Sequence, residues 1–395
     1  MSTNNQLIYL DNNSTTPIDN RVLESMIPFF TTEFANANST HNFGLKSYEA
    51  VKSARQKISN LICADPTEIV FTSGATEAIN LAIKGVASNS RNKGNHIVTI
   101  QTEHLAVLDA CKYIESKDFE VTYMPVQRNG LIDLEKLNSV VRDDTILVIA
   151  MFVNNETGVI FPIKEISEIA HKKGALFMSD CTQAVGKISI NVDFLGIDLL
   201  CFSGHKINAP KGVGALYVIQ RFNKIKLEPL FHGGGHERGN RSGTLNVPGI
   251  VALGCACEIA KNEMAYNSSH IGILRDRLEF ELLKIDGSSI NGDTENRLYN
   301  TTNILFDGID SDALILGLSS PNTGEPEIAV SNGSACTSRN IDPSHVLLAM
   351  GLNEIEAFSS IRFSLGKHNT VDEIDITVAL VKKVVQELRS LSINC

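Results

Sequence analysis

Short apolar runs alternate with segments whose apolar residues recur every three or four positions through the first two thirds of the chain. Strand-like runs fall at 68–72, 96–101, 120–125, 145–153, 175–179, 198–203 and 213–219. Helical periods lie between them at 77–88, 105–116, 134–142 and 163–173. This strand–helix rhythm predicts an α/β domain with a mostly parallel sheet. Several of the runs lack inside–outside alternation, as strands buried on both faces do. The pattern changes near residue 245. A long helical stretch, 249–283, is expected to break around 267–269, where Asn267, Ser268 and Ser269 interrupt it. Then come a strand at 301–306, a helix at 311–317 and strands at 327–331 and 359–364. A last amphipathic helix carries Ile374, Val378, Val381, Val385 and Leu388 on one face. This region reads as a second, smaller α+β domain.

Composition narrows the picture. With 43% hydrophobic and 20% charged residues, the 395-residue chain can bury a sizeable core and is not disordered. A net charge of −10 removes any global attraction to nucleic acid or anionic membrane, so direct binding to either is not expected. The longest apolar run, 146–153, is far too short to span a bilayer, and residues 1–10 do not read as a signal peptide. The eight cysteines are scattered and form no CxxC pair, so a structural zinc site or thioredoxin-type motif is not expected. A cytoplasmic protein with mostly free thiols follows as the expectation.

The chemistry is expected where strands end, because ligands of open α/β sheets bind beyond the carboxyl ends of strands. Ser73-Gly74-Ala75-Thr76 follows the first strand and opens a helix, a seat for phosphate built from backbone N–H groups and a hydroxyl. Taken alone it is equally an ordinary capped turn. The strand at 175–179 runs into Asp180, and that at 198–203 into Gly204-His205-Lys206. An acid and a lysine at one sheet edge make a salt bridge in the simplest reading. Beside a phosphate seat they also match the needs of pyridoxal phosphate, an amine for a Schiff base and a carboxylate for the pyridine nitrogen. Ser203 and His205 flank the lysine, and His104 ends Thr102-Glu103-His104 at the same edge. Asn154-Asn155-Glu156-Thr157-Gly158 offers amides to a substrate, or simply turns. His232 and His236 are separated by three glycines, which disfavours a helical metal site, and no metal is expected. Cys336 lies among small residues in Gly333–Ser338, with Arg339 nearby to favour a thiolate.

Seven motifs in order now carry a resemblance over essentially the full length: TSGATEA at 72–78, TEH at 102–104, NNETG at 154–158, SGHK at 203–206, HGGGHERGNRSGT at 232–244, GSACTS at 333–338 and IRFSLG at 361–366. The chain resembles the cysteine desulfurases, class-V aminotransferase members of the fold-type I pyridoxal-phosphate enzymes. The resemblance implies a mostly parallel seven-stranded sheet flanked by helices. It places a large cofactor domain at 18–262, and a small α+β domain at 1–17 and 263–395 that carries the cysteine loop. It also implies site roles. Lys206 would hold pyridoxal 5'-phosphate and act as base, Asp180 would pair with the pyridine nitrogen and Gln183 with the ring phenolate. His104 would stack on the ring. Thr76, Ser203 and His205 would bind the phosphate, with Thr244 reaching in from the partner of a homodimer, and Ala75 would belong to the cofactor site. Asn155 would serve both cofactor and substrate, Arg362 would take the carboxylate of L-cysteine, and Cys336 would be the nucleophile that becomes a persulfide. The length of 337–344 resembles the longer-loop group, whose members hand sulfur directly to acceptor or scaffold proteins. Iron–sulfur assembly, tRNA thiolation and DNA sulfur modification are all compatible destinations. Asn13-Ser14, Ala209, His236 and Asn332 depart from the family pattern without removing a named group. A selenocysteine lyase, an aminotransferase or a non-catalytic dimeric scaffold are the competing readings, and GSACTS favours desulfuration.

Overall fold

A short strand β1 (Leu7–Tyr9) precedes seven strands that build the central sheet. These are β2 (Ile69–Thr72), β3 (His96–Ile100), β4 (Glu120–Met124), β5 (Thr145–Ile149), β6 (Leu176–Asp180), β7 (Leu199–Ser203) and β8 (Gly214–Val218). The computed structural model describes residues 7–90, 92–221, 225–319, 325–333 and 342–392. The sheet order is β2-β8-β7-β6-β5-β3-β4. The strands from β4 to β7 are joined in parallel, while β8 runs antiparallel to both β2 and β7. Every residue of β2, β3, β5, β7 and β8 is buried, which is why their sequences show apolar runs rather than alternation. The seven strands and four helices expected between 68 and 219 all appear, with ends displaced by a few residues.

An apolar layer lies on each face of the sheet. Helix Ala75–Ser90 and helix Leu105–Glu115 supply Ile79, Ile83, Val107 and Ile114 to one. Helix Ile163–Lys172 supplies Ile163 and Ile166 to the other. The second layer also holds a helix that the hydrophobic pattern does not announce, Asn42–Ile62. Its buried face mixes Val51, Ile58 and Ile62 with Gly44, Ser47, Ala54 and Ser59, so small residues dilute the apolar stripe. They serve close packing: a Cβ on Gly254 would stand 2.6 Å from Ala54 Cα.

The rest of the chain forms a second, smaller core. Strands β9 (Ser288–Ile290), β10 (Thr301–Phe306) and β12 (Ser360–Ser364) make an antiparallel sheet ordered β12-β10-β9. Strand β11 (Glu327–Ala329) pairs in parallel with β1. Ile8, Leu10, Ile304, Phe363, Val381 and Val385 share this core. The expected break at 267–269 is absent. Helix Val247–Leu282 runs unbroken for 36 residues from the large core to the small one. None of Asn267, Ser268 and Ser269 is buried, so the polar triplet marks the solvated crossing between two cores. Packing at both ends overrides its weak helix propensity.

Candidate active site

The carboxyl ends of β3, β5, β6 and β7 open onto a cavity of about 540 Å³. Ala75, Thr76, His104, Asn155, Asp180, Gln183, Ser203, His205, Lys206 and Arg362 all line it. Strand β2 delivers Ser73-Gly74 to the start of helix Ala75–Ser90, whose first-turn N–H groups have no intrahelical acceptors. Gly214 allows that turn to lie flat on the sheet, because a Cβ there would sit 2.7 Å from Gly74 Cα. Across the opening, β7 ends at Ser203 and a single 3-10 turn, Gly204–Lys206, swings the lysine into the cavity.

The segment Asn13–Thr16 clamps that turn. Lys206 Nζ donates to Asn13 O at 2.6 Å and to Ser14 O at 2.7 Å. Thr16 N and Oγ1 both donate to His205 O, and His205 Nδ1 lies 3.1 Å from Thr15 Oγ1. Asp180 closes β6 and accepts from Thr182 N at 2.9 Å. His104 caps helix Leu105–Glu115, its Nδ1 accepting from Ala106 N, which leaves the rest of the ring in the cavity. Burial lowers the proton affinity of His104 and Lys206 adds to this, while Asp180 opposes it. His205 is pushed down to about 4 by burial and by the charges of Lys206 and Lys211. Both imidazoles are therefore neutral near pH 7.

The opposite wall comes from the small sheet. Arg362 is only 3% exposed, although it sits in the middle of β12. Its Nη2 donates to Asp11 Oδ1 at 2.6 Å and Ser14 Oγ at 2.7 Å, and its Nη1 to Asn155 O at 3.0 Å. Two buried atoms on the cavity lining, Arg362 Nε and Thr182 Oγ1, have no protein partner among the described residues. The donor set fits an anionic, aromatic cofactor together with a carboxylate substrate. It offers helix N–H groups and hydroxyls at one end, a carboxylate, an imidazole and a lysine along the large-sheet wall, and an arginine on the other wall.

Cys336 lies outside the described residues. The described ends of its segment converge on one carboxylate. Ser344 Oγ donates to Glu156 Oε2 at 2.5 Å, and a Cβ on Gly333, where φ is +85°, would stand 2.4 Å from the same oxygen. Ser331 bridges Arg362 through paired backbone groups. Among the described cysteines, Cys111, Cys181, Cys201 and Cys257 are buried, and burial raises their thiol proton affinity. Thr244 is exposed and does not line the cavity within one chain. Glu237 forms a two-pronged ion pair with Arg55 and accepts from Phe71 N. Motif reading overlooked Asp11 and Ser14 as partners of Arg362, and Glu156.

These contacts outline the site of a fold-type I enzyme, and the chain belongs to the class-V aminotransferase family, whose model matches residues 8–377. Over 388 residues, covering 98% of this chain and 94% of the relative, it is 51% identical to the cysteine desulfurase IscS of Pectobacterium carotovorum subsp. carotovorum (strain PC1). A solved NifS-like protein superposes with a TM-score of 0.87 at 39% identity, covering 97% of this chain and 99% of that one. SspA in complex with cysteine superposes at 0.79 with 38% identity, covering 92% and 99%. No helix among the described residues is long and apolar enough to cross a membrane.

Proposed function

We infer that the protein is a cysteine desulfurase that converts L-cysteine to L-alanine and retains the sulfur for an acceptor protein. The carrying observation is the convergence of Lys206, Asp180, His104 and Arg362 on one cavity, with Ser331 meeting Arg362 and Ser344 meeting Glu156 on either side of the Cys336 segment. Pyridoxal phosphate is a general property of the family, and the donor set supports its binding here. The phosphate is assigned to Thr76, Ser203 and His205, with Thr244 contributed by the second copy of a homodimer, and Ala75 is assigned to the cofactor site. Asp180 would pair with the pyridine nitrogen, Gln183 with the phenolic oxygen, and His104 would stack on the ring, all three lining the cavity. When bound, the cofactor supplies the covalent anchor on Lys206 and an electron sink for the substrate's α-carbon.

The protein's own residues do the rest. Arg362 and Asn155 orient the substrate carboxylate, with the arginine held ready by Asp11 and Ser14. The Lys206 amine takes the proton from the substrate α-carbon. The Cys336 thiolate attacks the substrate sulfur. A sulfur–sulfur bond forms, the carbon–sulfur bond breaks, and the electron pair stays with the β-carbon, which is protonated on the way to alanine. The persulfide on Cys336 then passes to an acceptor in iron–sulfur assembly, tRNA thiolation or DNA sulfur modification. The division into a large unit, 18–262, and a small unit, 1–17 with 263–395, is supported by the separate apolar cores. The test is Cys336→Ala, assayed for alanine and for enzyme-bound persulfide from L-cysteine. Both are expected to vanish while the cofactor-loaded protein still changes its visible spectrum on adding cysteine. Undiminished alanine formation would sink the assignment.

A further inference from the structure

Behind the lysine lies a second cavity of about 220 Å³, between the large core and the small one. Lys206 lines both cavities, whereas Gln183 belongs to the front one and Lys187 to the rear one. Lys187 plays no part in the roles assigned above. Its Nζ donates to Gln183 Oε1 at 2.7 Å, so its partner is an amide oxygen and not a carboxylate. Gln183 is buried, and its Nε2 donates to Asn13 O at 2.9 Å. That carbonyl also accepts from Lys206 Nζ at 2.6 Å. One continuous chain of hydrogen bonds thus joins the rear lysine, the glutamine and the cofactor lysine.

An amide side chain can be flipped by half a turn with little change in shape. A lysine amine donates and does not accept when charged, so it fixes the flip: Oε1 must face Lys187 and Nε2 must face away. We propose that Lys187 is a positioning residue for the cofactor pocket, whose amine holds the Gln183 amide with Oε1 turned to the rear cavity and Nε2 turned to the front one. Nε2 carries two hydrogens. One is committed to Asn13 O, and the other would be left to meet an acceptor oxygen on the bound ring. This inference rests on the reading that pyridoxal phosphate occupies the front cavity.

The surroundings of Lys187 make the bond persistent. Burial, with the charges of Lys206 and Arg362, pushes its amine down to about 7. The rear cavity is also lined by Asp19, Glu263, Lys367, His368 and Glu373. Asp19 and Glu263 are held by Arg21 and Lys367, and Glu373 accepts from Asn369 and Thr370. Lys187 is therefore cationic below about pH 7 and neutral above it. A neutral amine still donates an N–H, and of the two ends of the amide only Nε2 can donate to Asn13 O, so the two contacts together keep the amide oriented in both states.

The test is a pH titration of the visible absorption of the cofactor-loaded protein, which reads the proton shared between lysine and cofactor without turnover. A donor on the ring's phenolic oxygen weakens the hold on that proton. Loss of the donor in Lys187→Met is expected to raise the midpoint by about one pH unit, a tenfold tighter hold. Lys187→Arg, which keeps a cationic donor, is expected to restore most of the wild-type midpoint. In a Gln183→Leu background the Lys187→Met shift is expected to shrink towards zero. Midpoints that agree within about 0.2 units between wild type and Lys187→Met overturn the proposal. So does an undiminished shift in the Gln183→Leu background, which would make Lys187 a mere through-space charge. If Lys187→Met does not fold, as judged by thermal melting of the cofactor-free protein, Lys187→Leu carries the same expectation, because it too offers no donor to Gln183. A wild-type protein that stays colourless with pyridoxal phosphate overturns the cofactor reading itself, and this inference with it.

Discussion

The two walls of the front cavity are built on opposite principles. On the large-sheet wall, His104, Asp180 and Lys206 stand at or just beyond the ends of β3, β6 and β7. Each strand is spent on burial, and the polar side chains proposed for the chemistry begin where it stops. On the small-sheet wall, Arg362 stands in the middle of β12, a strand buried along its whole length. Its charge is tolerated there because Asp11, Ser14 and Asn155 O take its donors. Residues at strand ends are free to move a proton. A residue locked within a strand is suited to holding an anion still. The walls are thus proposed to divide the reaction into chemistry and grip.

Removing Lys206 is the harshest way to break that division. Lys206→Ala is expected to lower alanine formation by about 10³-fold or more at saturating cysteine, since both the proposed anchor and the proposed proton acceptor are lost. The loss should appear in kcat. Arg362→Leu should act differently. A charge-assisted bond to a substrate carboxylate is worth about 1.5–3 kcal/mol, so kcat/KM is expected to fall about 10²-fold, mostly through KM. Steady-state kinetics on both variants check the contrast. If Arg362→Leu lowers kcat as much as Lys206→Ala and leaves KM alone, the separation of chemistry from grip is wrong.

The contrast between walls also explains what could be read beforehand. Parallel strands leave a plain signature, an apolar run ending in polar residues, and Asp180, Lys206 and His104 sit where that signature stops. Arg362 shows only as a charged residue inside an otherwise apolar and small stretch, and its role came from the resemblance rather than from spacing. Helix Asn42–Ile62 was invisible because a face of Gly, Ala and Ser packs closely without looking apolar. The unbroken Val247–Leu282 helix hides for the opposite reason, since its polar triplet has the local pattern of a loop. Lys187 stands four residues after Gln183, a spacing too common to point at a pocket whose walls come from both ends of the chain.

A smaller effect tests the large-sheet wall from beneath. Glu103 is wholly buried next to His104, with Oε1 accepting from Met151 N and Oε2 without a partner among the described residues. Burial, and to a lesser extent the Asp180 charge, pushes its carboxyl up to about 8. A folded value above the unfolded one means that the folded state binds the extra proton. The contribution is fully present below about pH 4.5 and is lost as pH rises through about 8. Glu103→Gln imitates the protonated acid at every pH. The variant is expected to match wild type near pH 5 and to exceed it by a few kcal/mol near pH 9, in denaturant melts of the cofactor-free protein. Parallel curves for the two proteins across that range would refute a buried neutral acid.

The smallest effect lies away from the cavity and shows what burial adds. His171 Nε2 sits 2.8 Å from Asp198 Oδ2, and the same oxygen accepts from Phe177 N at the head of β6. The Asp198 carboxylate raises the His171 proton affinity, while partial burial opposes it. The sign matches that of Glu103. Stability from the pair is fully present below about pH 6.5 and fades as pH rises through the higher folded value. The magnitude does not match, because the His171 side chain is 42% exposed and water screens the pair. His171→Gln is therefore expected to lose less than about 1 kcal/mol near pH 5.5 and nothing near pH 9. Salt separates the two cases: about 1 M sodium chloride should erase most of the His171 contribution and leave the Glu103 difference nearly intact. A His171 effect that survived high salt would mean that this half-open pair behaves like the buried group, and that burial is not what sets the strength of these charges.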